Sequence, residues 1–316
     1  VHPLAVGVMN TYGEPMATQT VSEADVLLVI GCRLKPQDTC FESPDLINPR
    51  RQKIIQIDID PRNAGWVFPV EIGLCGDCGL VMRQLRDALA ERLNPTKKAE
   101  WKSWITGIQD KKRREGGYFD GPSLYSSQVP IVSTRIVKEL REHLPPDALI
   151  ALDAGNNRVS MLRYFPTRQP GTCFAANGIG AMSLSVPAAI TAKILHPDKT
   201  CVAVCGDGGM ALQIHALSTA KQHNAAAIFV VMNDSVLQAV RERRIETPIA
   251  TEFIDTDFAK IAQAFGCRGV RVRDPGQIGA TVKEALASQD PFVIDILTDP
   301  NEQLRKQVKP TWAERF

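Results

Sequence analysis

The chain has 316 residues, a formal net charge of +2, 44% apolar and 23% charged residues. That length predicts about two domains, each large enough for its own core, and the near-neutral charge gives no reason to expect nucleic acid or an anionic membrane as a partner. No apolar run approaches about 18 residues, so no membrane-spanning helix is expected. The opening VHPLAVGVMN lacks the charged and apolar regions of a secretion signal. Eight scattered cysteines suit a reducing compartment, the cytoplasm or an organellar matrix.

In chain order, ADVLLVIG (24–31) and KIIQIDID (53–60) are short, nearly continuous apolar runs, the pattern of parallel strands buried on both faces. Cys75 and Cys78 form a C-x-x-C. A structural zinc site takes about four ligands and no second pair accompanies this one, so packing at a strand-to-helix turn is the better reading. Val81, Leu85, Leu89 and Leu93 recur every four residues among charges, which predicts an amphipathic helix ended by Asn94-Pro95. Residues 95–130, charged and then rich in Gly, Ser and Pro, are expected to be a linker between a first domain (1–94) and a second (131–316). The run Lys111–Arg114 reads as a solvated face.

The second domain begins with a capped helical stripe, STRIVKELREHL. Strands are expected at ALIAL, TCVAVC, AIFVVM and PFVIDIL, and helices at DFAKIAQAFG and PGQIGATVKEALAS. Strand-helix alternation predicts an α/β fold of two doubly wound parallel-sheet domains.

One stretch in this domain carries chemistry. From Cys205 to Asp234 the chain reads CGDGGMALQIHALSTAKQHNAAAIFVVMND. A helix expected at 211–223 would be about 20 Å long at ~1.5 Å per residue, and the strand at 227–232 runs back about 20 Å at ~3.3 Å per residue. Asp207 and Asn233 should therefore meet at the carboxyl edge of a parallel sheet, where such sheets bind ligands. Their side chains are hard oxygen donors suited to Mg²⁺ or Ca²⁺. Gly206, Gly208 and Gly209 let backbone approach, and a helix N-terminus there favours phosphate. The plainer alternative is that Asp207 caps a helix and the glycines make a turn.

G-D-G followed, after an apolar run, by this Asn resembles the cofactor motif of thiamine-diphosphate-dependent enzymes. HPLAVGVMNTYGEP, ADVLLVIGCR, IIQIDIDP and GLCGDC resemble the middle domain of their acetolactate synthase-like branch. ALDAGNNR, NGIGAMSLSVPAAITAKILHPDKT and DFAKIAQAFG resemble its diphosphate-binding domain. The resemblance implies that Asp207, the Asn233 side chain and the Ser235 backbone oxygen ligate Mg²⁺. It implies further that Gly180, Gly206, Gly208 and Gly209 approach thiamine diphosphate. Asn156 and Asn157 fall where the family often has a Gln-His pair at the diphosphate. Met182 falls where an apolar side chain bends the cofactor between its two rings, the catalytic contribution that the match assigns to this chain. Arg33 and Asp58 fall where some relatives bind FAD or ADP. Asp234 replaces a common second Asn or Gly, Ala216 replaces a common Glu, and RERRIE (241–246) is unusually basic, either toward an anionic substrate group or as a solvated helix.

In the family, a Glu that activates the cofactor comes from an N-terminal pyrimidine-binding domain, and active sites form between subunits. No Glu of this chain matches that position, and its first residues match part-way into the middle domain. The expectation is a decarboxylase or carboligase acting on a 2-oxo acid, completed by a pyrimidine-binding domain from elsewhere and forming a homo-oligomer. A non-catalytic thiamine-diphosphate-binding or regulatory module is the second reading. A dinucleotide-dependent redox enzyme ranks last, because no G-x-G-x-x-G opens a helix after a first strand.

Overall fold

The computed structural model describes residues 2–10, 13–115, 121–242, 249–302 and 304. Two compact units divide between residues 118 and 119.

The first unit contains α1 (Pro15–Glu23), β1 (Val26–Ile30), β2 (Lys53–Asp58), β3 (Ile72–Cys75), α2 (Cys78–Arg92) and α3 (Pro95–Glu115). Its strands form a parallel sheet in the order β1-β2-β3. Local chemistry sets the helix starts: Pro15 opens α1 with its φ already helical. The Asp77 side chain caps α2 by accepting from the Leu80 N–H at 2.9 Å. Cys75 ends β3 and Cys78 begins α2, so the C-x-x-C does span a strand-to-helix turn.

Two expectations fail in this unit. β1 is not buried on both faces. Leu27 and Val29 pack on the core of Leu34, Leu46, Ile47, Ile54 and Phe68, whereas Val26, Leu28 and Ile30 are 53%, 40% and 43% exposed. The strand lies at the sheet edge, and its period of two separates the two faces. Likewise, the first part of the expected linker is α3. Asn94-Pro95 does stop α2, but Pro is tolerated at a helix start, and Pro95 opens a new helix whose run to Glu115 is charged.

The second unit contains α4 (Ser133–His143), β4 (Leu149–Leu152), α5 (Asn156–Tyr164), β5 (Cys173–Ala175), α6 (Ser185–Leu195), β6 (Cys201–Gly206), α7 (Asp207–Leu212), α8 (Ala216–Gln222), β7 (Ile228–Asn233), α9 (Gln238–Arg241), α10 (Phe258–Ala264), β8 (Arg268–Val272), α11 (Ile278–Ala287) and β9 (Phe292–Leu297). Its sheet is parallel throughout, in the order β5-β4-β6-β7-β9-β8. Alternate strand residues feed two cores. Ile150, Val204, Val230 and Ile294 pack with Ile136, Leu140, Met161 and Val282 of α4, α5 and α11. Ala203, Cys205, Phe229 and Val231 pack with Val186, Leu217 and Phe258 of α6, α8 and α10. The sheet is doubly wound, as the alternation predicts.

The order of strands also fixes where a ligand can enter. From β4 the chain crosses outward through α5 to β5, and from β6 it crosses the other way through α7 and α8 to β7. α5 and α7 therefore diverge onto opposite faces above β4 and β6, opening a crevice at the topological switch.

Candidate functional site

Asp207 follows the last residue of β6 and Asn233 is the last residue of β7, and these strands pair with Gly206 opposite Met232. The strand-helix-strand return thus brings the two side chains to one sheet edge. The return is not one helix: α7 starts at Asp207 itself, and α8 follows only at Ala216. Between them, bonds such as Gln213 N–H to Met210 O and Leu217 N–H to Ile214 O span three residues rather than four, which interrupts the α pattern.

Both side chains are buried, 6% exposed at Asp207 and 2% at Asn233. Asp207 Oδ1 accepts from the Gly208 N–H, while Asp207 Oδ2 and Asn233 Oδ1 have no hydrogen-bond partner among the described residues. Burial pushes the Asp207 carboxyl above its ordinary range, against the N–H groups of Gly208, Ser235, Val236 and Asp234, which pull it down. A buried oxygen without a donor costs about 1–3 kcal/mol. Two of them at adjacent strand ends are what a hard cation would satisfy, so the donor set fits Mg²⁺. Asp234 stands beside them; burial first, and the charge of Asp207 second, push its carboxyl up to about 7.

Behind Asn233 stands a second acid. Asn233 Nδ2 donates to Asp295 Oδ1 at 2.9 Å and to the Thr256 carbonyl at 3.0 Å. On the β4 side, Asp153 is fully buried and its Oδ2 accepts from the Ser183 N–H at 2.8 Å. Ser183 has φ 72, a left-handed turn that a non-glycine residue adopts at some cost. Asp153 therefore anchors the turn that follows Met182.

The glycines divide by what surrounds them. A Cβ on Gly209 would lie 2.0 Å from Asp153 Oδ2, so this glycine makes room for the acid, while its backbone lines the cavity. A Cβ on Gly208 would meet Leu237 Cδ2 at 2.9 Å and Met182 Cε at 3.0 Å. Two apolar side chains thus close over Gly208, and Met182 forms part of the cavity wall. Gly206 also lines it, with its nearest would-be Cβ contacts at an ordinary 3.9 Å. Gly180, at φ 76, supplies a turn ahead of Met182 and lies outside the residues lining the cavity. The cavity measures about 240 Å³.

Asn156 and Asn157 open α5 above the crevice. Asn157 donates from Nδ2 to the carbonyls of Asp153 (3.2 Å) and Val204 (3.1 Å), tying β4 to β6, so its amide hydrogens face backbone rather than the cavity. Asn156 Nδ2 donates to Glu242 at 2.9 Å. The Ser235 carbonyl, expected on the metal, accepts from the Phe253 N–H at 2.8 Å, which leaves one lone pair. Ala216 is buried in the core at the start of α8. Of RERRIE, Arg241 and Glu242 are described and the rest falls in 243–248, outside the described residues.

In the other unit, Asp58 ends β2 and Arg33 follows β1. Asp58 Oδ1 accepts from the Asp60 N–H at 2.9 Å and from Asn63 Nδ2 at 3.1 Å, and the exposed Arg33 lies over the Trp66 ring at 5.9 Å.

Asp153 and Asp295 join the site only through the fold. Each carried a signal, since one follows the apolar run ALIAL and the other interrupts PFVIDIL. A charge in such a position must be paired or bonded.

Residues 1–85 match the family description "Thiamine pyrophosphate enzyme, central domain", and residues 153–296 match "Thiamine pyrophosphate enzyme, C-terminal TPP binding domain". The chain is 30% identical over 320 residues to a probable acetolactate synthase large subunit of Methanocaldococcus jannaschii, covering 96% of this chain and 51% of that protein. It is 26% identical to acetolactate synthase 1, chloroplastic, of Oryza sativa subsp. japonica (96% and 47%). It is 25% identical to sulfoacetaldehyde acetyltransferase of Castellaniella defragrans (96% and 57%). The chain spans about half the length of the curated relatives it matches. No helix among the described residues is long and apolar enough to cross a membrane. The two family matches, in order and together spanning well over half of the sequence, agree with two parallel α/β units: the chain belongs to the thiamine pyrophosphate enzyme family.

Proposed function

We propose that the second unit binds thiamine diphosphate through Mg²⁺, and that the protein takes part in acetolactate synthase-like decarboxylation and carboligation of a 2-oxo acid, pyruvate first among candidates. The observation that carries this reading is the pair of buried, unpartnered oxygens, Asp207 Oδ2 and Asn233 Oδ1, at the ends of adjacent parallel strands. Bound thiamine diphosphate supplies the electron sink that lets a 2-oxo acid lose CO₂.

The residues present would hold and orient it. Asp207 and Asn233 are the side-chain ligands for Mg²⁺, with the free lone pair of the Ser235 carbonyl as a third donor. The backbone at Gly206 and Gly209 and the N-terminus of α5 present N–H groups to a diphosphate, while the Gly208 N–H is bonded to Asp207 Oδ1 and orients that ligand. Met182 and Leu237 form the apolar wall that faces the cofactor and excludes water. The Asp153 carboxylate holds the Met182 turn in place. No residue of this site is proposed to take the proton that activates the cofactor. That task falls to a pyrimidine-binding domain, with a homo-oligomer as the expected assembly. FAD or ADP at Arg33 and Asp58 is a separate proposal for the first unit.

Calorimetric titration with thiamine diphosphate tests the reading. The expected result is binding with Mg²⁺ present and none after chelation. Binding that ignores Mg²⁺, or no binding, overturns it. Pyruvate turnover, measured on the chain and on the chain with any co-purifying polypeptide, then separates an enzyme from a cofactor-binding module.

A further inference from the structure

Asp295 touches neither the proposed metal nor the cofactor, yet its surroundings are built around one job. It sits within β9, fully buried. Its register partner on β8 is Arg271, and on β7 it lies opposite Val231, two residues before Asn233. Since alternate residues share a face, Arg271, Asp295 and Asn233 form a polar line across three strands on the face that otherwise carries Phe229, Val231 and Val293.

The contacts within this line have a direction. Asp295 Oδ2 accepts from the Phe258 N–H at 3.1 Å and lies 3.4 Å from Arg271 Nε. Arg271 is held in turn by Asp255 and, at 3.7 Å, by Asp257. Asp295 Oδ1 is left for Asn233 Nδ2. An amide turned by half a rotation exchanges its oxygen and nitrogen. Asn233 faces two acceptors here, Asp295 Oδ1 and the Thr256 carbonyl, so only its NH₂ can point that way. Its oxygen must point to the other side, where it has no partner among the described residues.

We infer that Asp295 is a positioning residue for the divalent cation: its carboxylate, clamped by Arg271 and the N-terminus of α10, locks the Asn233 amide with the oxygen toward the metal. This rests on the metal reading proposed above. A carboxylate is needed because both of its oxygens face donors. An amide at position 295 has one oxygen, so it sets its own NH₂ either against the Phe258 N–H and Arg271, or against Asn233. In the second arrangement Asn233 is drawn to turn its oxygen away from the metal.

The test uses Mn²⁺ as probe, measured by the electron paramagnetic resonance of the free ion, on the full chain with thiamine diphosphate, with thermal melts as the check on folding. Asp295→Asn should weaken Mn²⁺ binding about 10–100-fold, the usual effect of losing a ligand's supporting partner. Asp295→Asn is then repeated in an Asn233→Asp background, where the Thr256 carbonyl loses its donor whichever residue stands at 295. There the amide introduced at position 295 donates to one carboxylate oxygen at position 233 and frees the other for the metal, so the same substitution should strengthen Mn²⁺ binding relative to Asn233→Asp alone, a reversal of sign that a merely structural role for Asp295 would not produce. A folded Asp295→Asn variant that binds Mn²⁺ like the unsubstituted chain overturns the inference and leaves the metal reading intact. So does a folded double variant that binds Mn²⁺ no more tightly than folded Asn233→Asp. If Asp295→Asn alone does not fold, that second comparison decides. An unsubstituted chain that binds no Mn²⁺ overturns the metal reading and the inference together.

Discussion

Two sheet edges in this molecule carry polar residues in equivalent positions, and they differ in what those residues lack. At the first unit's edge, Asp58 has its Oδ1 bonded within its own loop, and Arg33 is exposed over Trp66. At the second unit's edge, Asp207 and Asn233 are buried, each with one oxygen that nothing among the described residues satisfies. Location at the carboxyl end of parallel strands is common to both. What separates them is that one is complete as folded while the other holds uncompensated polar atoms, which a protein tolerates where a ligand completes them.

The largest expected effect breaks the second edge directly. Asp207→Ala should weaken Mg²⁺-dependent binding of thiamine diphosphate by at least about 100-fold. It should change the melting temperature of the metal-free protein little, because the loss of the Gly208 N–H bond to Oδ1 is offset by removal of the unpartnered buried Oδ2. A calorimetric titration and a melt on the same sample read both. Next comes the Asp153–Gly209 contact. Asp153→Ala leaves the Ser183 N–H without its acceptor, and Gly209→Ala drives a methyl into Asp153; each should cost about 1–3 kcal/mol in urea unfolding. Together they should cost less than the sum, because the truncated acid vacates the space the methyl needs. The smallest effect sharpens the other side of the comparison. Asp58→Ala should cost about 1 kcal/mol from its lost turn bonds and leave thiamine diphosphate affinity unchanged. A titration with ADP on the same variant tests the separate proposal for that edge.

Much of this was legible in the sequence because it follows from periodicity and length. The strands of the second sheet's centre are apolar runs, and a strand, a return and a second strand of matched length must bring Asp207 and Asn233 together. The return's break at 213–215 was not legible, because no Pro or Gly marks it. Two short strands escaped for related reasons: β5 spans only Cys173–Ala175, and β8, RGVRV, carries two arginines in five residues at the sheet's edge, while β3 (Ile72–Cys75) was visible only as the strand side of the turn at Cys75. α3 escaped because its sequence is charged and follows a Pro that also ends α2. Asp153 and Asp295 were visible as charges against apolar strands, but their roles depend on register. Only the pairing of β7 with β9 sets Asp295 beside Asn233, and only the turn at Ser183 carries its N–H to Asp153.

The most direct test of the central claim is anomalous diffraction from crystals grown with Mn²⁺ and thiamine diphosphate. The account predicts a manganese peak bound by Asp207 Oδ2 and Asn233 Oδ1, with the diphosphate against the N-terminus of α5 and the glycines 206, 208 and 209. Manganese elsewhere, with Asp207 and Asn233 still unpartnered, would contradict it.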